Sequence, residues 1–423
     1  MRTKSISLIL TLFACCPCFA QLSIEDCYRK AQANYPLIKQ YDLIEKAKEY
    51  NLSNANKGYL PQVMFSAQAT YQSDVTQLPI DLAQLGVEGV SISTLDKDQY
   101  GATIDVTQTI WDGGAIRAQK DGFTTAAEVD KRNVEVSIYA INERINQIYF
   151  GILLADAQLR QNQLLQDDLQ RNYDQVLSYV QNGIANQADL DAIKVDQLKA
   201  KQSEAQFANT KKAYMAMLSK LIGEELTADT KFLKPETVLP PTHTINRPEL
   251  NFYDAQIKNL EAKNREITSG LMPKLSLFAT GGYGRPGLNM LSNNFEAYYI
   301  AGVRLSWNIG NFYTKKNSRR SIQTNIRGIE TQRETFMFNT SLDITQKENN
   351  INSYFDQLKY DDEIIELRTS VRRASEAKMA NGTLSGTDLT RDITAEQMAR
   401  QDKILHETEL LLAIYNLRFA TNN

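Results

Sequence analysis

The chain writes part of its first half a second time. Asn34, Pro36, Tyr41, Asp42, Lys46, Glu49, Gly58, Pro61 and Tyr71 recur as Asn246, Pro248, Tyr253, Asp254, Lys258, Glu261, Gly270, Pro273 and Tyr283, all at one offset (246 − 34 = 212). Identities held at a single spacing without a gap indicate that a unit of helix followed by strand has been duplicated. Any fold must therefore accommodate two copies.

With 423 residues the chain could hold two or three ordinary domains. Gly and Pro are sparse, at 20 and 10, and mean hydropathy is −0.40, which favours long helices over many small loops. A net charge of −3 leaves no basic stripe to neutralise phosphates, which argues against a nucleic-acid partner. Two histidines, His243 and His406, argue against a His-rich metal site. Gly281-Gly282-Tyr283-Gly284 ends a strand rather than opening a helix, so it is not a phosphate loop. No cofactor site and no catalytic constellation is found, and the many acids read as solvated charge on helix faces.

The N-terminus reads as an export signal. Arg2 and Lys4 precede a short apolar run, and Cys18-Phe19-Ala20 before Gln21 fits cleavage after Ala20. A second reading, Leu12-Phe13-Ala14-Cys15 as a lipobox, would leave a lipidated Cys15. After cleavage at Ala20 only Cys27 remains, which excludes an intrachain disulfide. No later stretch reaches the ~18 apolar residues of a membrane-spanning helix, so entry into a membrane would have to be as strands.

Strands are expected near 62–71, 99–110, 274–284 and 298–309, where apolar and polar residues alternate. Each is about ten residues, the length that crosses a bilayer when tilted. The rest is helical. Ser23-Ile24-Glu25-Asp26 starts a helix to about Lys57 with a break at Pro36. From about Ala115 to Gln181 a seam including Ile138, Ile141, Ile145, Ile148, Ile152, Leu169 and Val176 predicts one unbroken coiled-coil rod. Asn182-Gly183 ends it, and a return rod runs from about Gln187 to Ile222. The second copy repeats this from about Tyr313 to Ala380, breaks at Asn381-Gly382, and returns from about Thr387 to Phe419. The chain thus divides into a signal peptide (1–20), a first repeat (21–222, tip near 182–186), a linker (223–245) expected to pack on the rods, and a second repeat (246–423, tip near 381–386).

Four strands cannot close a barrel, and an open sheet in hydrocarbon leaves backbone groups unpaired at several kcal/mol each. Bacterial barrels need an even count of at least eight strands. Three chains would give twelve and a wider, polar lumen. Tyr71, Tyr100, Tyr283 and Tyr299 at the loop ends, with Tyr59, Trp111 and Trp307 at the helix ends, match the two aromatic belts of a membrane barrel. An antiparallel sheet of a soluble sandwich is the competing reading, but nothing else in the chain is rich enough in strands to cover such a sheet.

Leu60-Pro61-Gln62-Val63 and Met272-Pro273-Lys274-Leu275 entering strands, Ile110-Trp111-Asp112-Gly113-Gly114 leaving one, and the breaks Asn182-Gly183-Ile184 and Asn381-Gly382-Thr383 resemble the TolC-type outer-membrane efflux proteins over nearly the whole chain. The resemblance implies a mainly α fold with a membrane β part: a duplicated helix-strand-strand-helix unit with long antiparallel coiled-coil helices. Four strands per protomer would close a 12-stranded barrel in a homotrimer. It further implies a passive outer-membrane channel with a periplasmic extension, docked on a periplasmic adaptor that links it to an inner-membrane pump or ATP-driven exporter. By the same resemblance Asn182, Gly183, Ile184 and Ala185, with Asn381, Gly382, Thr383 and Leu384, are adaptor-docking candidates. Asp189 and Asp388, with Asp392, are pore-constriction candidates; Asp189 and Asp388 also read as first-turn acids that favour their helix N-termini. The chain departs from the family where an Arg and a Tyr that tie the tip shut fall at Leu384 and Met379, and where a further pore acid falls at Arg391. The alternative function is a periplasmic coiled-coil adaptor or scaffold that never enters lipid. The cargo is not legible.

Overall fold

A computed structural model describes residues 21–76, 95–240 and 244–423. The export signal, His243 and most of the loop after the first strand lie outside them. The elements are α1 (Ile24–Asn34), α2 (Gln40–Asn56), β1 (Gln62–Tyr71), β2 (Asp98–Trp111), α3 (Ala115–Tyr139), α4 (Ile141–Gln181), α5 (Gln187–Ile222), α6 (Pro248–Ser269), β3 (Lys274–Arg285), β4 (Glu296–Ser306), α7 (Asn311–Ala380) and α8 (Gly386–Thr421). They form two compact units. One takes residues up to Ile38, Val136–Arg247 and Phe336–Asn423; the other takes Lys39–Glu135 and Pro248–Thr335. Each unit draws on both halves of the sequence.

In the first unit α1, α4, α5 and α8 share an apolar core. The expected seam is where this core forms: Ile145, Ile152 and Val176 are fully buried, and Ile141, Ile148 and Leu169 nearly so. Ser23 caps α1, accepting from the Asp26 amide at 3.1 Å. A short 3₁₀ turn at Pro36–Lys39 follows α1, where proline denies the helix its hydrogen bond. Cys27 is buried among Ile24, Ala31 and Ile148, and burial pushes its thiol up to about 12, as expected of an inert packing residue. The linker packs on the rods: Phe232 bridges to Leu22. The Tyr149 hydroxyl lies 2.7 Å from the carbonyls of both Leu22 and Leu233 and shares its one proton between them.

The first rod is not one helix. Ala140 has φ −59° and ψ −19°, a 3₁₀-like value, and separates α3 from α4. The Ala140 amide still bonds Val136 at 3.1 Å, so the chain tightens here without losing its hydrogen bonds. Next to it Tyr139 stacks on Phe419, with centroids 4.9 Å apart, and Arg247 lies over both rings. A seam of 3-4 spacing does not register such a local change of pitch.

The acids are not all solvated. Glu396 on α8 has a side chain only 2% exposed, with Arg400 Nη2 at 2.6 Å and Thr369 Oγ1 donating at 2.8 Å. Arg372 Nε lies 2.6 Å from its second oxygen. Asp168 on α4 is buried too and accepts from Gln397 at 3.0 Å. His406 is not alone, since its Nδ1 lies 2.8 Å from buried Asp361. Burial raises the Glu396 carboxyl, but the hydrogen bonds of Arg400 and Thr369 and the charge of Arg372 outweigh it and hold the group below its ordinary 4.5.

The second unit holds one antiparallel sheet in the order β1-β2-β3-β4. Its register places the apolar residues of all four strands on one face. Phe65, Ile104, Gly281 and Tyr299 form one row; Val63, Val106, Ala279 and Ala301 form the next. The other face is mixed. Asp105 accepts from Thr280 at 2.5 Å, and Tyr298 and Phe278 lie over Gly282 and Gly302. This face is thus less uniformly small or polar than alternation alone implies. β4 ends at Ser306, short of the expected 309, because its partner β3 begins only at Lys274, after Pro273; beyond it the Trp307 indole donates to the Leu271 carbonyl at 3.0 Å.

Tyr149→Phe removes the hydroxyl that the Leu22 and Leu233 carbonyls share and is expected to destabilise the protein by about 0.5–1.5 kcal/mol, read as a lower thermal midpoint. Glu396→Gln is expected to flatten the dependence of that midpoint on acid. The Glu396 contribution is complete above the ordinary carboxyl value and is lost as pH falls through the lowered folded value. Equal acid sensitivity in wild type and variant would contradict this.

Candidate functional site

Two places carry the sequence candidates: the helix tips in the first unit and the sheet in the second. At the first tip α4 ends in a left-handed glycine. Gly183 has φ +75°; its amide bonds Val180 at 3.0 Å, and the Ile184 amide bonds Tyr179 at 2.8 Å. These are the paired bonds of a Schellman ending. The second tip repeats them: Gly382 has φ +72°, its amide bonds Met379 at 2.9 Å, and the Thr383 amide bonds Lys378 at 2.9 Å. Asn182 and Asn381 turn their side-chain amides back onto Ser178 (2.7 Å) and Ala377 (2.8 Å). Both tips expose Asn182, Gly183, Ile184, Asn381, Gly382 and Thr383, while Ala185 and Leu384 are half-buried.

The return helices are capped alike. Asn186 accepts from the Asp189 amide at 3.0 Å, and Ser385 accepts from the Asp388 amide at 3.1 Å. Asp189 and Asp388 therefore hold the same third position of their helices, where a carboxylate meets the positive end of the helix dipole. Both are half-buried. Thr387 donates to Asp189 at 3.0 Å and so links the two tips, while Arg391 lies 3.6 Å from Asp388. Asp392 faces another way and accepts from Ser375 on α7 at 2.6 Å. The structure thus brings Asp189 beside the Asp388 turn and sets Asp392 apart.

Beneath the tips lies an apolar cluster of Val176, Leu190, Ile193, Met379, Leu389 and Ile393, with Leu384 and Ala185 against it. α8 begins in close contact with α4: a Cβ at Gly386 would lie 2.3 Å from Val176 Cγ2. Sequence patterning did not single out Gly386. Its signal is glycine at the first position of a helix, where no turn asks for one.

In the sheet, Tyr71, Tyr283 and Tyr299 are 78%, 56% and 82% exposed, and Trp111 and Trp307 are 47% and 54% exposed. Tyr59 and Tyr100 are exposed as well. Tyr100 and Tyr283 both approach Phe295. Asp112 holds the helix end of β2, accepting from the amides of Gly114 (2.9 Å) and Ile116 (2.5 Å). A cleft of about 720 Å³ lies in the first unit beside Asp156 and Glu407. Within it Lys211 pairs with Asp156 and Lys234 with Glu407. Among the described residues no group of His, Cys, Asp and Glu is placed to hold a metal, and no helix is long and apolar enough to cross a membrane.

The model of the family described as outer membrane efflux protein matches residues 27–224. The resemblance to the outer-membrane efflux proteins is shown. Three solved structures share the fold. CusC, from work on folding and transmembrane channel formation, has 13% identity and a TM-score of 0.68, covering 95% of this chain and 92% of its own. The outer-membrane channel OprN has 14% identity and a TM-score of 0.68, covering 94% and 89%. The open state of the Neisseria gonorrhoeae MtrE outer membrane channel has 12% identity and a TM-score of 0.66, covering 95% and 89%. No curated protein is a significant match to this chain.

Met379 is 1% exposed and Leu384 packs in the same cluster, so hydrophobic contact holds this side of the tip.

Gly183→Ala and Gly382→Ala meet open space but force a left-handed alanine. Each is expected to cost about 1–2 kcal/mol locally, seen as faster hydrogen exchange at 178–187 or 377–388. Unchanged protection would contradict the Schellman assignment.

Proposed function

We propose that the chain is the outer-membrane channel component of a tripartite efflux or secretion system, a passive exit duct working as a homotrimer. The observation that carries this is the open sheet. Its apolar face is bare, with Phe65 69% and Leu305 68% exposed, and among the described residues β1 and β4 are both unpaired edges. At about 3.4 Å per residue a ten-residue strand tilted by 45° spans about 24 Å of the bilayer normal. In hydrocarbon each open edge would cost several kcal/mol for each of about five bare backbone groups. Only further strands remove that cost, and three copies supply twelve.

A second exposed seam agrees. Tyr360, Ile364, Leu367 and Val371 on α7 follow 4-3-4 spacing and are 63%, 45%, 60% and 46% exposed. That is a coiled-coil face awaiting a partner, and a neighbouring copy fits it.

In this reading residues 1–20 are a signal peptide, 21–222 and 246–423 are the two repeats, and 223–245 joins them. The strands lie in outer-membrane lipid and the helical hairpins in the periplasm. The tips at 182–185 and 381–384 dock on a periplasmic adaptor bound to an inner-membrane pump or ATP-driven exporter. Asp189 and Asp388 ring the entrance, where several carboxylates on three chains would favour cations; Asp392, turned to Ser375, would line the passage behind them. Energy comes from the partner, and the duct needs no cofactor of its own.

Fractionation is expected to give a detergent-requiring, heat-modifiable outer-membrane assembly; a soluble periplasmic monomer would support the adaptor or scaffold reading instead. In planar bilayers, Asp189→Ala with Asp388→Ala is expected to keep the assembly but alter conductance or cation preference. Unchanged single-channel behaviour would contradict the pore-lining role.

A further inference from the structure

The helix end of the sheet carries charge of one sign that the fold does not use. Four chain segments meet there. Lys120 of α3 donates to Asn56 of α2 at 2.9 Å. Gln108 of β2 donates to the Tyr59 carbonyl at 2.5 Å. Trp307 reaches Leu271 at 3.0 Å, and Asn311 at the start of α7 reaches Gly270 at 2.7 Å. On this rim Lys57, Arg117, Lys316, Arg319 and Arg320 are exposed and Lys315 is half-buried.

Arg319 makes a 3.3 Å hydrogen bond to neutral Thr268, and Lys315 lies 5.8 Å over the Phe312 ring, yet neither cation meets an acid. None of the six has a carboxylate partner among the described residues, whereas Arg265 nearby is paired with Asp121. Of the acids, Asp112 is buried in its capping role, and exposed Glu266 is outnumbered. The loop end is the reverse. There Arg285 is held by Asp96 and Asp98 at 3.2 Å and 2.5 Å, with Asp74 and Glu296 beside the same strand ends.

We propose that this rim binds the headgroups of anionic phospholipids in the leaflet nearest the helices. The inference rests on the membrane reading above and adds a lipid class to it. Two independent features converge. The free cations complement phosphate, and basic residues clustered where a chain leaves the membrane attract anionic lipid through such a match. They also stand beside exposed Tyr59, Trp307, Phe312 and Tyr313, side chains that settle at headgroup depth. The start of α7 supplies four of the cations within two turns (Lys315, Lys316, Arg319, Arg320), so neighbouring headgroups can be engaged together. An acidic loop end and a basic helix end would then also fix which way the sheet faces across the bilayer.

The test is native mass spectrometry of the full protein released from bilayers of equal phosphatidylglycerol and phosphatidylcholine. Wild type is expected to retain phosphatidylglycerol over phosphatidylcholine by about tenfold or more at low salt, and to lose that preference as salt is raised. Lys315→Gln/Lys316→Gln/Arg319→Gln/Arg320→Gln is expected to bring the ratio to about one, while the equal charge change Lys199→Gln/Lys201→Gln/Lys212→Gln/Lys220→Gln leaves it as in wild type. No preference in wild type, or a preference that survives in the rim variant, overturns the inference. If instead the protein never forms a heat-modifiable assembly in lipid, the membrane reading itself is overturned, and that result is distinguishable because it appears in wild type before any lipid is counted.

Discussion

Backbone hydrogen bonding at two bare strand edges is the constraint on which this protein depends. Within the sheet the strands pair along their length, and one face is apolar across all four. Yet among the described residues β1 and β4 have no neighbour on their outer sides. Water could satisfy such edges; hydrocarbon cannot. A chain whose apolar sheet face is exposed while its edges are open is consistent as part of a closed ring of strands. The bare seam on α7 makes the same demand with side chains instead of backbone.

Duplication lets one solution serve twice. Both tips use an Asn, a left-handed Gly, a capping side chain three residues on and an Asp three residues after that. Geometry alone accounts for this spacing, because each residue satisfies an orphan group of a helix end. Asp189 and Asp388 have a structural reason to be where they are, and a pore role would be added to that reason. Where the halves differ, packing differs: α4 buries a continuous apolar seam, while α7 leaves much of its surface bare.

Most of the fold was legible because it is written in periods. Alternation marked β1 to within a residue, and Asn-Gly pairs marked both helix ends. The irregular features were not legible. The tightening at Ala140 leaves no proline or glycine behind, so no local residue announces it. The early end of β4 follows from where its partner β3 begins, which only the pairing register reveals. The Glu396 and Asp168 network and the His406–Asp361 pair are tertiary. An acid on a helix face looks the same in sequence whether it meets water or two arginines from other turns. At the tip, the helix breaks and the first-turn place of Asp189 and Asp388 could be read from spacing, but Gly386 could not, because its role is the close approach of Val176.

The most direct measurement is the mass of the assembly ejected intact from lipid. Three chains per particle, with none released singly in folded form, is the expected result. A stable, folded single chain in the bilayer would mean that the open edges are satisfied some other way and would contradict the account at its base.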